Sequence, residues 1–245
     1  MAVPKSHPRY LSLMTREKIA KGMEKGITSM HGLIAHGRGE AFDYLIGEKT
    51  TEAAKKAINA AAALLLAAKN PVISVNGNAA ALAAKELSQL SRIIPAKLEI
   101  NIFHPSKERE IKIRKHLIKN GAKEVLLPQK NCKIKYLDSN RKYVNGDGIY
   151  KADVVFVPLE DGDRTEALIK NGKKVVTIDL NPMSRTAKNA TITIVDNIVR
   201  AVPLLIKTIK ECQKCGKHTL ESVLKGYNNK KILDDTLKDI SKNLI

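Results

Sequence analysis

The chain has 245 residues, of which 43% are hydrophobic and 4% aromatic, and its formal net charge at pH 7 is +18. This length and apolar content allow the core of a single globular domain. No stretch reaches the roughly 18 uncharged apolar residues of a membrane span, and the amino-terminal segment lacks the apolar core of a signal peptide. We therefore expect a cytoplasmic protein with no membrane partner.

The high positive charge alone is typical of nucleic-acid-binding proteins. The lysines are nevertheless spread over the whole chain, and there is no tryptophan to stack on bases. An acidic cluster at residues 160–163 also lies in a candidate site loop, where it would repel a phosphodiester backbone. We predict a protein that binds small anionic molecules and no nucleic acid. A basic nucleic-acid-binding protein is the alternative from a different class.

Residues 1–70 are predicted to form a helical part that precedes the core. One helix is expected around residues 11–25. A second is expected over 51–69, where Thr51 is a suitable N-cap and a long alanine-leucine face follows. Between them, residues 31–40 read H-G-L-I-A-H-G-R-G-E. These glycines predict a turn, which carries His36, Arg38 and Glu40.

From residue 71 onward, predicted strands and helices alternate. Ser106 can cap one of these helices, and Asn120-Gly121 can end it. The alternation predicts an α/β fold with a Rossmann-like, mostly parallel sheet, helices on both faces and the N-terminal helical elaboration. The core spans 71–210 within a single domain of residues 1–245, which ends in a variable tail at 211–245. Short apolar runs predict the strands at 72–75, 97–103, 124–127, 153–159, 175–178 and 191–195.

Two segments carry weaker signals. Residues 128–150 are polar, with turn signals at 145–148, and they are predicted to form a surface loop; a mobile flap over a site is the alternative. In the tail, Cys212 and Cys215 make half of a zinc pattern. A tetrahedral zinc ion needs four ligands, and no second Cys-x-x-Cys pair exists. We therefore predict that the protein has no metal ligands and that the two cysteines are incidental thiols at the end of a helix.

Three predicted strands end in polar loops, at residues 76–78, 160–165 and 179–186. Because the carboxyl ends of parallel strands share one edge of the sheet, we expect these loops to lie together and bind a ligand. Asn76-Gly77-Asn78 opens a helix, so its backbone N–H groups suit a phosphate or a carboxylate. The glycine pattern is not G-x-G-x-x-G, which disfavours a nicotinamide cofactor. An NAD-using enzyme of similar fold is the second alternative.

Several blocks of the sequence resemble the archaeal 4-phosphopantoate–β-alanine ligases, also called phosphopantothenate synthetases. The resemblance spans residues 4–205, without 128–150, and it rests on the blocks 4–10, 32–45, 71–78, 157–168 and 179–197. It implies condensation of 4-phosphopantoate with β-alanine in coenzyme A biosynthesis, with ATP converted to AMP and pyrophosphate through an acyl-adenylate. It also implies a Rossmann-like homodimer with one nucleotide site per protomer.

The resemblance implies a set of ATP contacts whose residue types fit the chemistry. Arginines can neutralise the triphosphate and the charge that develops as a carboxylate attacks the α-phosphate. Aspartate and asparagine side chains can hold the ribose or the adenine. Magnesium is expected to accompany the nucleotide, with few protein ligands of its own. The implied contacts are Arg16, Arg38, Asp179, Leu180, Asn181, Arg185, Thr186, Asn197 and Ile198.

The second step requires a base that takes a proton from the amine of β-alanine. The sequence gives no distances that would choose among the candidates, which are His36, Glu40, Glu160 and Asp161. The phosphate or carboxylate of phosphopantoate is assigned to the loop of Asn76, Gly77 and Asn78.

Overall fold

The computed structural model describes residues 3–214 and 216–243. These residues form eight strands, ten helices and one 3₁₀ turn at Asn140–Lys142. The strands are β1 (Pro71–Val75), β2 (Lys97–Ile100), β3 (Val125–Leu126), β4 (Gln129–Lys133), β5 (Tyr143–Val144), β6 (Val154–Phe156), β7 (Lys174–Ile178) and β8 (Ile192–Ile194). The helices are α1 (Tyr10–Glu24), α2 (Met30–Ile46), α3 (Glu52–Ala67), α4 (Gly77–Ile93), α5 (Lys107–Lys119), α6 (Gly162–Lys170), α7 (Arg185–Asn189), α8 (Ile198–Cys212), α9 (Lys217–Gly226) and α10 (Asn229–Asn243).

Six strands form one parallel sheet in the order β3-β2-β1-β6-β7-β8. The chain builds outward from β1 to β3, returns to the middle at β6 and then builds the other half. This is the strand order of a doubly wound Rossmann sheet, whose crevice lies where the order reverses. Here that switch point falls between β1 and β6. The structure confirms the predicted Rossmann-like α/β fold.

The core strands are buried on both faces, which explains why their sequences are continuous apolar runs. Successive side chains point to opposite faces. In β1, Ile73 and Val75 therefore pack with α3, α4 and α8, while Val72 packs on the other face with Ala167 and Leu168 of α6. Thr51 caps α3 as predicted, accepting a hydrogen bond from the N–H of Ala54 at 3.1 Å.

The predicted turn at residues 31–40 is wrong, because these residues lie inside α2. Ser29 caps the helix by accepting a hydrogen bond from the N–H of Gly32. Gly32 is needed for packing rather than for a turn: a Cβ there would overlap Thr28 Oγ1 and Asn78 Oδ1. The glycines therefore let α2 approach the start of α4 closely.

The predicted surface loop at 128–150 is also wrong. Strands β4 and β5 pair antiparallel, and the segment buries apolar side chains against the α6 face of the sheet. The hairpin was not predicted because its apolar residues are interspersed with polar residues and lysines, and so form no continuous apolar run in the sequence. The buried residues are Ile134, Leu137, Val144 and Ile149. We call residues 128–150 the hairpin segment.

The tail forms helices that cover the edge of the sheet. Helix α10 packs against α2 and α3. Asn229 Oδ1 accepts a hydrogen bond from the N–H of Thr193 in edge strand β8 at 2.8 Å, and this contact protects an edge that would otherwise be open. Cys212 ends α8, whereas Cys215 lies outside the described residues. The short helix α7 within residues 179–190 was not predicted.

Within residues 3–214 and 216–243, no helix combines the length and the apolar character needed to cross a bilayer. The same part of the chain holds no group of three or more His, Cys, Asp or Glu side chains placed to bind a metal ion.

Candidate functional site

Two adjoining cavities lie at the carboxyl edge of the sheet, beneath helix α2. The first cavity has a volume of about 380 Å³ and the second about 270 Å³. The three predicted polar strand ends meet here, as the parallel sheet requires. The two cavities share one wall, formed by Ala35, Arg38, Asn78, Leu159 and Asp161.

The β7–α7 loop lines the first cavity with a tightly hydrogen-bonded carboxylate. Asp179 Oδ1 accepts a hydrogen bond from the N–H of Asn181 at 2.9 Å, and Oδ2 accepts one from the hydroxyl of Ser184. Ser184 in turn caps α7 through the N–H of Ala187 at 2.9 Å. Burial raises the pKa of Asp179 above its ordinary value. The loop is thus held in one conformation by its own side chains.

Helix α7 continues this wall. Thr186 is buried and donates its hydroxyl to the Glu160 carbonyl oxygen at 2.7 Å, which ties the β7 side of the cavity to the β6 side. Arg185 is exposed at the surface and donates to Glu166 Oε1 from Nη2 at 2.9 Å. Leu180 is buried and packs with Ala187 and its neighbours. The contacts of Thr186 and Leu180 therefore hold helix α7 and the loop before it in place.

Asn197 and Ile198 form the far side of the first cavity at the start of α8. Asn197 Nδ2 donates to Asp43 Oδ2 of α2 at 2.8 Å, and Asn197 Oδ1 accepts from the N–H of Val199. Asp43 also pairs with Arg200 at 2.5 Å. Helix α2 is thus fastened over the cavity by buried polar contacts with α8.

Asn76, Gly77 and Asn78 all line the second cavity. Asn76 Oδ1 caps α4 through the N–H of Ala79 at 3.0 Å, while its Nδ2 donates to the carbonyl oxygens of Pro158 and Leu159. The side chain of Asn76 therefore bridges the ends of β1 and β6.

Gly77 allows a guanidinium to approach the start of α4. A Cβ at this position would lie 2.5 Å from Arg109 Nη2 and 2.6 Å from the Ile27 carbonyl oxygen. Arg109 donates from Nε to that carbonyl at 3.2 Å, and burial lowers its pKa. A helix N-terminus and a guanidinium in contact form a strong anion site.

Basic side chains outnumber the one acidic side chain, Asp161, in the described lining of the second cavity. Arg38, Arg109 and Arg141 line it together with two histidines, His31 and His104, whose ring centroids are 4.9 Å apart. Of these residues, only Arg38 was predicted from the sequence. Arg109 stands one turn into a helix whose cap was predicted, but no local pattern shows that this helix faces the site. Arg141 lies in the hairpin segment, where a loop was predicted.

Leu159 lies at the junction of the two cavities with a backbone φ of +58°. For a non-glycine residue, this conformation costs roughly 1–3 kcal/mol and persists only where surrounding contacts enforce it. The hydrogen bond from Asn76 to the Leu159 carbonyl, at 2.9 Å, is one such contact. Backbone strain of this kind often marks a ligand site.

Among the predicted acid–base candidates, Glu160 has a fully buried side chain with both oxygens engaged. Arg141 and Arg164 donate to it, and Oε1 also accepts from the N–H of Asp161 at 2.8 Å. Burial alone would raise its pKa, but the two guanidinium charges outweigh burial and leave the pKa below its ordinary value. Glu160 is therefore a firmly ionised carboxylate.

Asp161 differs, because 52% of its side chain is exposed and it lines both cavities. Its pKa is raised by burial of the group and by the negative charge of Glu160, while Arg141 opposes the rise. Arg141 Nη1 donates to Asp161 Oδ2 at 2.8 Å. The structure thus places a carboxylate of raised pKa between the two cavities.

His36 lines the first cavity. Its Nε2 is buried without a hydrogen-bond partner among the described residues. Its pKa is lowered mainly by burial, and the charge of Arg16 contributes to the lowering.

Glu40 and Arg16 pair with each other, and neither is among the described residues that line the two cavities. Arg16 Nε donates to both Glu40 oxygens at 2.8 Å, and Glu40 also accepts from Ser12. Hydrogen bonding to Arg16 lowers the pKa of Glu40 despite partial burial.

The fold and the site together define a Rossmann-type α/β protein built to hold anionic ligands. The defining features are a doubly wound sheet, helix N-termini at its switch point and a two-part polar crevice.

The chain is 54% identical over 243 residues to the 4-phosphopantoate–β-alanine ligase of Thermococcus onnurineus, covering 99% of this chain and 93% of that protein. The enzyme of the same name from Methanosarcina mazei is 50% identical over 242 residues, covering 99% and 95%.

The sequence pattern of the phosphopantothenate/pantothenate synthetase family matches residues 53–243. The chain belongs to this family. The family resemblance inferred from the sequence is therefore confirmed, and the similarity extends beyond residues 4–205 because the relatives align with 99% of the chain.

Proposed function

We propose that this protein is a 4-phosphopantoate–β-alanine ligase of coenzyme A biosynthesis, which converts ATP to AMP and diphosphate. The observation that carries the proposal is the pair of adjoining cavities at one sheet edge, one lined by the β7–α7 loop and the other by cationic side chains. An enzyme that joins a phosphorylated acid to a nucleotide needs two anion sites that meet at a shared wall. The names of the relatives support the same assignment.

In this proposal ATP occupies the first cavity, which is lined by eight of the nine residues assigned to it. Asp179 and Asn181 hold the nucleoside, and Arg38 and Arg185 neutralise phosphate charge. The ninth residue, Arg16, pairs with Glu40, but its charge contributes to the lowered pKa of His36 in the cavity wall.

The second cavity is proposed to hold 4-phosphopantoate. Its phosphate suits the N-terminus of α4 beside Arg109, where backbone N–H groups and a guanidinium converge. The side chain of Asn76 is committed to Ala79, Pro158 and Leu159, so Asn76 shapes this site rather than contacting the ligand through its amide. The carboxylate of phosphopantoate would then face the shared wall and the first cavity.

In the first chemical step, a carboxylate oxygen of phosphopantoate attacks the α-phosphorus of ATP. The bond from this phosphorus to the bridging oxygen breaks, and diphosphate leaves with the electron pair. In the second step, the amine of β-alanine attacks the acyl carbon and AMP leaves. The amine loses a proton to a base, and an amide bond has formed.

We propose Asp161 as this base, because its half-exposed carboxylate lies in the wall shared by both cavities and has a raised pKa. The oxygens of Glu160 are saturated by arginines, and Glu40 is paired away from the cavities. His36 is the second candidate, since its neutral ring has an unpartnered Nε2 among the described residues.

Magnesium is proposed to bind with the nucleotide. The ion is expected to be held mainly by phosphate oxygens and water, with few protein ligands of its own. The ion would neutralise charge on the phosphates.

A homodimer is proposed to form through the outer face of α2. Met30, Ile34, Ala41 and Tyr44 are exposed there at helical spacing, and a two-fold axis can place such a stripe against its own copy. Sedimentation velocity should show a dimer for the wild type and a monomer for Ile34→Glu, with Lys115→Glu on distant α5 as the charge control. A monomeric wild type would contradict the proposal.

The activity is tested by supplying ATP, Mg²⁺, 4-phosphopantoate and β-alanine and measuring AMP and phosphopantothenate. AMP and diphosphate are expected in equal amounts. Release of ADP and phosphate would instead indicate an acyl-phosphate intermediate, and the absence of condensation would overturn the assignment. Arg109→Ala should raise the KM for phosphopantoate at least tenfold with little change in the KM for ATP, because it alters only the second cavity.

A further inference from the structure

Arg141 is a buried guanidinium that the hairpin segment delivers to the functional site from outside the Rossmann core. Its side chain is 4% exposed. Nη2 donates to Glu160 Oε2 at 2.7 Å, Nη1 donates to Asp161 Oδ2 at 2.8 Å, and Nε donates to Asn101 Oδ1 at 2.9 Å. One guanidinium therefore joins the ends of two parallel strands, β2 and β6, to the hairpin.

The hairpin segment is fixed in the position that this contact requires. Asn101 Nδ2 donates to the carbonyl oxygens of Arg141 and Tyr143, each at 3.1 Å. The buried carboxylate of Glu99 accepts from the N–H groups of Asn145 at 2.9 Å and Ile149 at 2.6 Å. Side chains at the end of β2 thus hold the turn that carries Arg141 and the stretch that follows it.

The charges around Asp161 come from three elements. Glu160 precedes it, Asp163 follows it in α6, and Arg141 approaches from the hairpin segment. Arg38 of α2 lines both cavities together with Asp161. Glu160 and Asp163 oppose ionisation of Asp161, whereas Arg141 favours it. Arg141 also holds Oδ2, so it fixes the direction in which the other oxygen, Oδ1, can point.

We propose that Arg141 is a positioning residue, which holds Asp161 ionised and directs its Oδ1 oxygen at the wall between the two cavities, where the amine of β-alanine loses its proton. This inference rests on the proposed function, because it assigns a task to the base named there. It also makes the hairpin segment part of the catalytic apparatus rather than an elaboration of the fold.

A merely structural role for Arg141 predicts a different outcome. If the guanidinium only neutralised buried Glu160, its loss would reduce stability but would leave the acidic limb of the kcat–pH profile of the folded enzyme in place. If it also holds Asp161 ionised, its loss must raise the pKa of Asp161. The acidic limb of the kcat–pH profile must then move to higher pH, by on the order of one unit for a carboxylate that loses an adjacent positive charge.

The experiment compares the kcat–pH profiles of Arg141→Met and Arg141→Lys with that of Lys142→Met, the matched control. Lys142 stands on the same 3₁₀ turn and does not line the second cavity as described. We expect Arg141→Met to lower kcat at least tenfold and to move the acidic limb upward. In Arg141→Lys, we expect a smaller movement of the acidic limb and a kcat between those of Arg141→Met and the wild type. The KM for ATP should change less than about twofold in each variant.

If Arg141→Met does not fold, Asn101→Ser supplies the second test. It removes the clamp on the arginine but leaves its charge, so kcat should fall with a smaller movement of the limb. Folded Arg141 and Asn101 variants with an unmoved limb would overturn the inference. Asp161→Asn tests the base itself: wild-type turnover in this variant would overturn the base assignment, whereas a hundredfold loss beside unmoved Arg141 profiles would overturn only the role of Arg141.

Discussion

The hairpin segment is held to the sheet by two buried carboxylates that work in opposite ways. Glu160 accepts hydrogen bonds from the guanidinium groups of Arg141 and Arg164. Glu99 is equally buried but accepts only backbone N–H groups from the hairpin, those of Asn145 and Ile149. The negative charge of Glu160 is thus balanced by full positive charges in contact with it, whereas the carboxylate of Glu99 contacts only backbone dipoles.

The pKa values follow this difference. Burial raises the pKa of both groups, but the two arginines bring that of Glu160 below its ordinary value. The pKa of Glu99 rises to about 7, because two N–H groups and the more distant Arg164 and Lys173 offset burial only in part. Burial alone does not decide whether a carboxylate is charged, because nearby positive charges and hydrogen bonds can offset it.

The largest loss of stability is expected from Glu160→Gln, which removes the charge of the first carboxylate. This change leaves Arg164 buried without a carboxylate and leaves Arg141 paired only with Asp161, and removing one partner of a buried ion pair costs about 3–5 kcal/mol. Urea unfolding at pH 7.5 should show a loss of this size in the free energy of unfolding. Glu166→Gln, which disturbs the surface contacts of Glu166 with Arg185 and Asn189, should cost less than about 1 kcal/mol. Equal small losses in both variants would contradict the role of the buried network.

The second prediction concerns the pH dependence of stability at Glu99. Its folded pKa of about 7 exceeds the ordinary 4.5, so the native state binds the proton more tightly than the unfolded chain. The stabilisation is therefore complete below pH 4.5 and is lost as pH rises through 7. For Glu160 the sign is reversed, and its contribution is lost as pH falls.

Glu99→Gln cannot titrate and should remove this dependence. Between pH 4.5 and 7.5, the difference in unfolding free energy between wild type and Glu99→Gln should fall by on the order of 3 kcal/mol. Urea unfolding of both proteins across that range measures it. A difference that does not change with pH would show that Glu99 is ionised throughout, as Glu160 is.

The smallest effect is expected from the glycine that accommodates Glu99. A Cβ at Gly148 would overlap Glu99 Oε2, whereas one at Gly146 would come no closer than 3.3 Å, to Gln129 Oε1. Overpacking of this kind costs typically about 1–3 kcal/mol, so Gly148→Ala should destabilise the protein by that amount. Gly146→Ala should cost less than about 1 kcal/mol. Faster amide hydrogen exchange at Ile149 in Gly148→Ala alone would place the damage at the Glu99 anchor.

The sequence predicted the sheet well because its strands are buried on both faces and read as apolar runs, as in Val175 to Ile178. It also predicted that the loops after β1, β6 and β7 would meet, because strand direction alone decides this. It did not predict α2, since the glycines that admit Thr28 and Asn78 look like turn signals until the partner surfaces are known.

The sequence also could not predict which charged side chains from distant parts of the chain reach the site. Glu160 looked like a possible base because no local pattern shows that Arg141 takes its oxygens. Arg109 likewise reaches the second cavity only through the packing of α5 against α4. The sequence could therefore name the loops of the site and Arg38, but not Arg109 and Arg141, which come from α5 and the hairpin segment.

The amide of Asn76 has a mechanical consequence. Its Nδ2 bridges to Pro158 and Leu159 across the place where the two halves of the sheet diverge, while its Oδ1 begins α4. The carboxyl ends of β1 and β6, which form the floor of the crevice, are therefore tied together by one side chain. Helix α2 above the cavities is held by a separate set of contacts, those of Asp43 with Asn197 and Arg200, so the floor and the roof of the crevice are fastened by different residues.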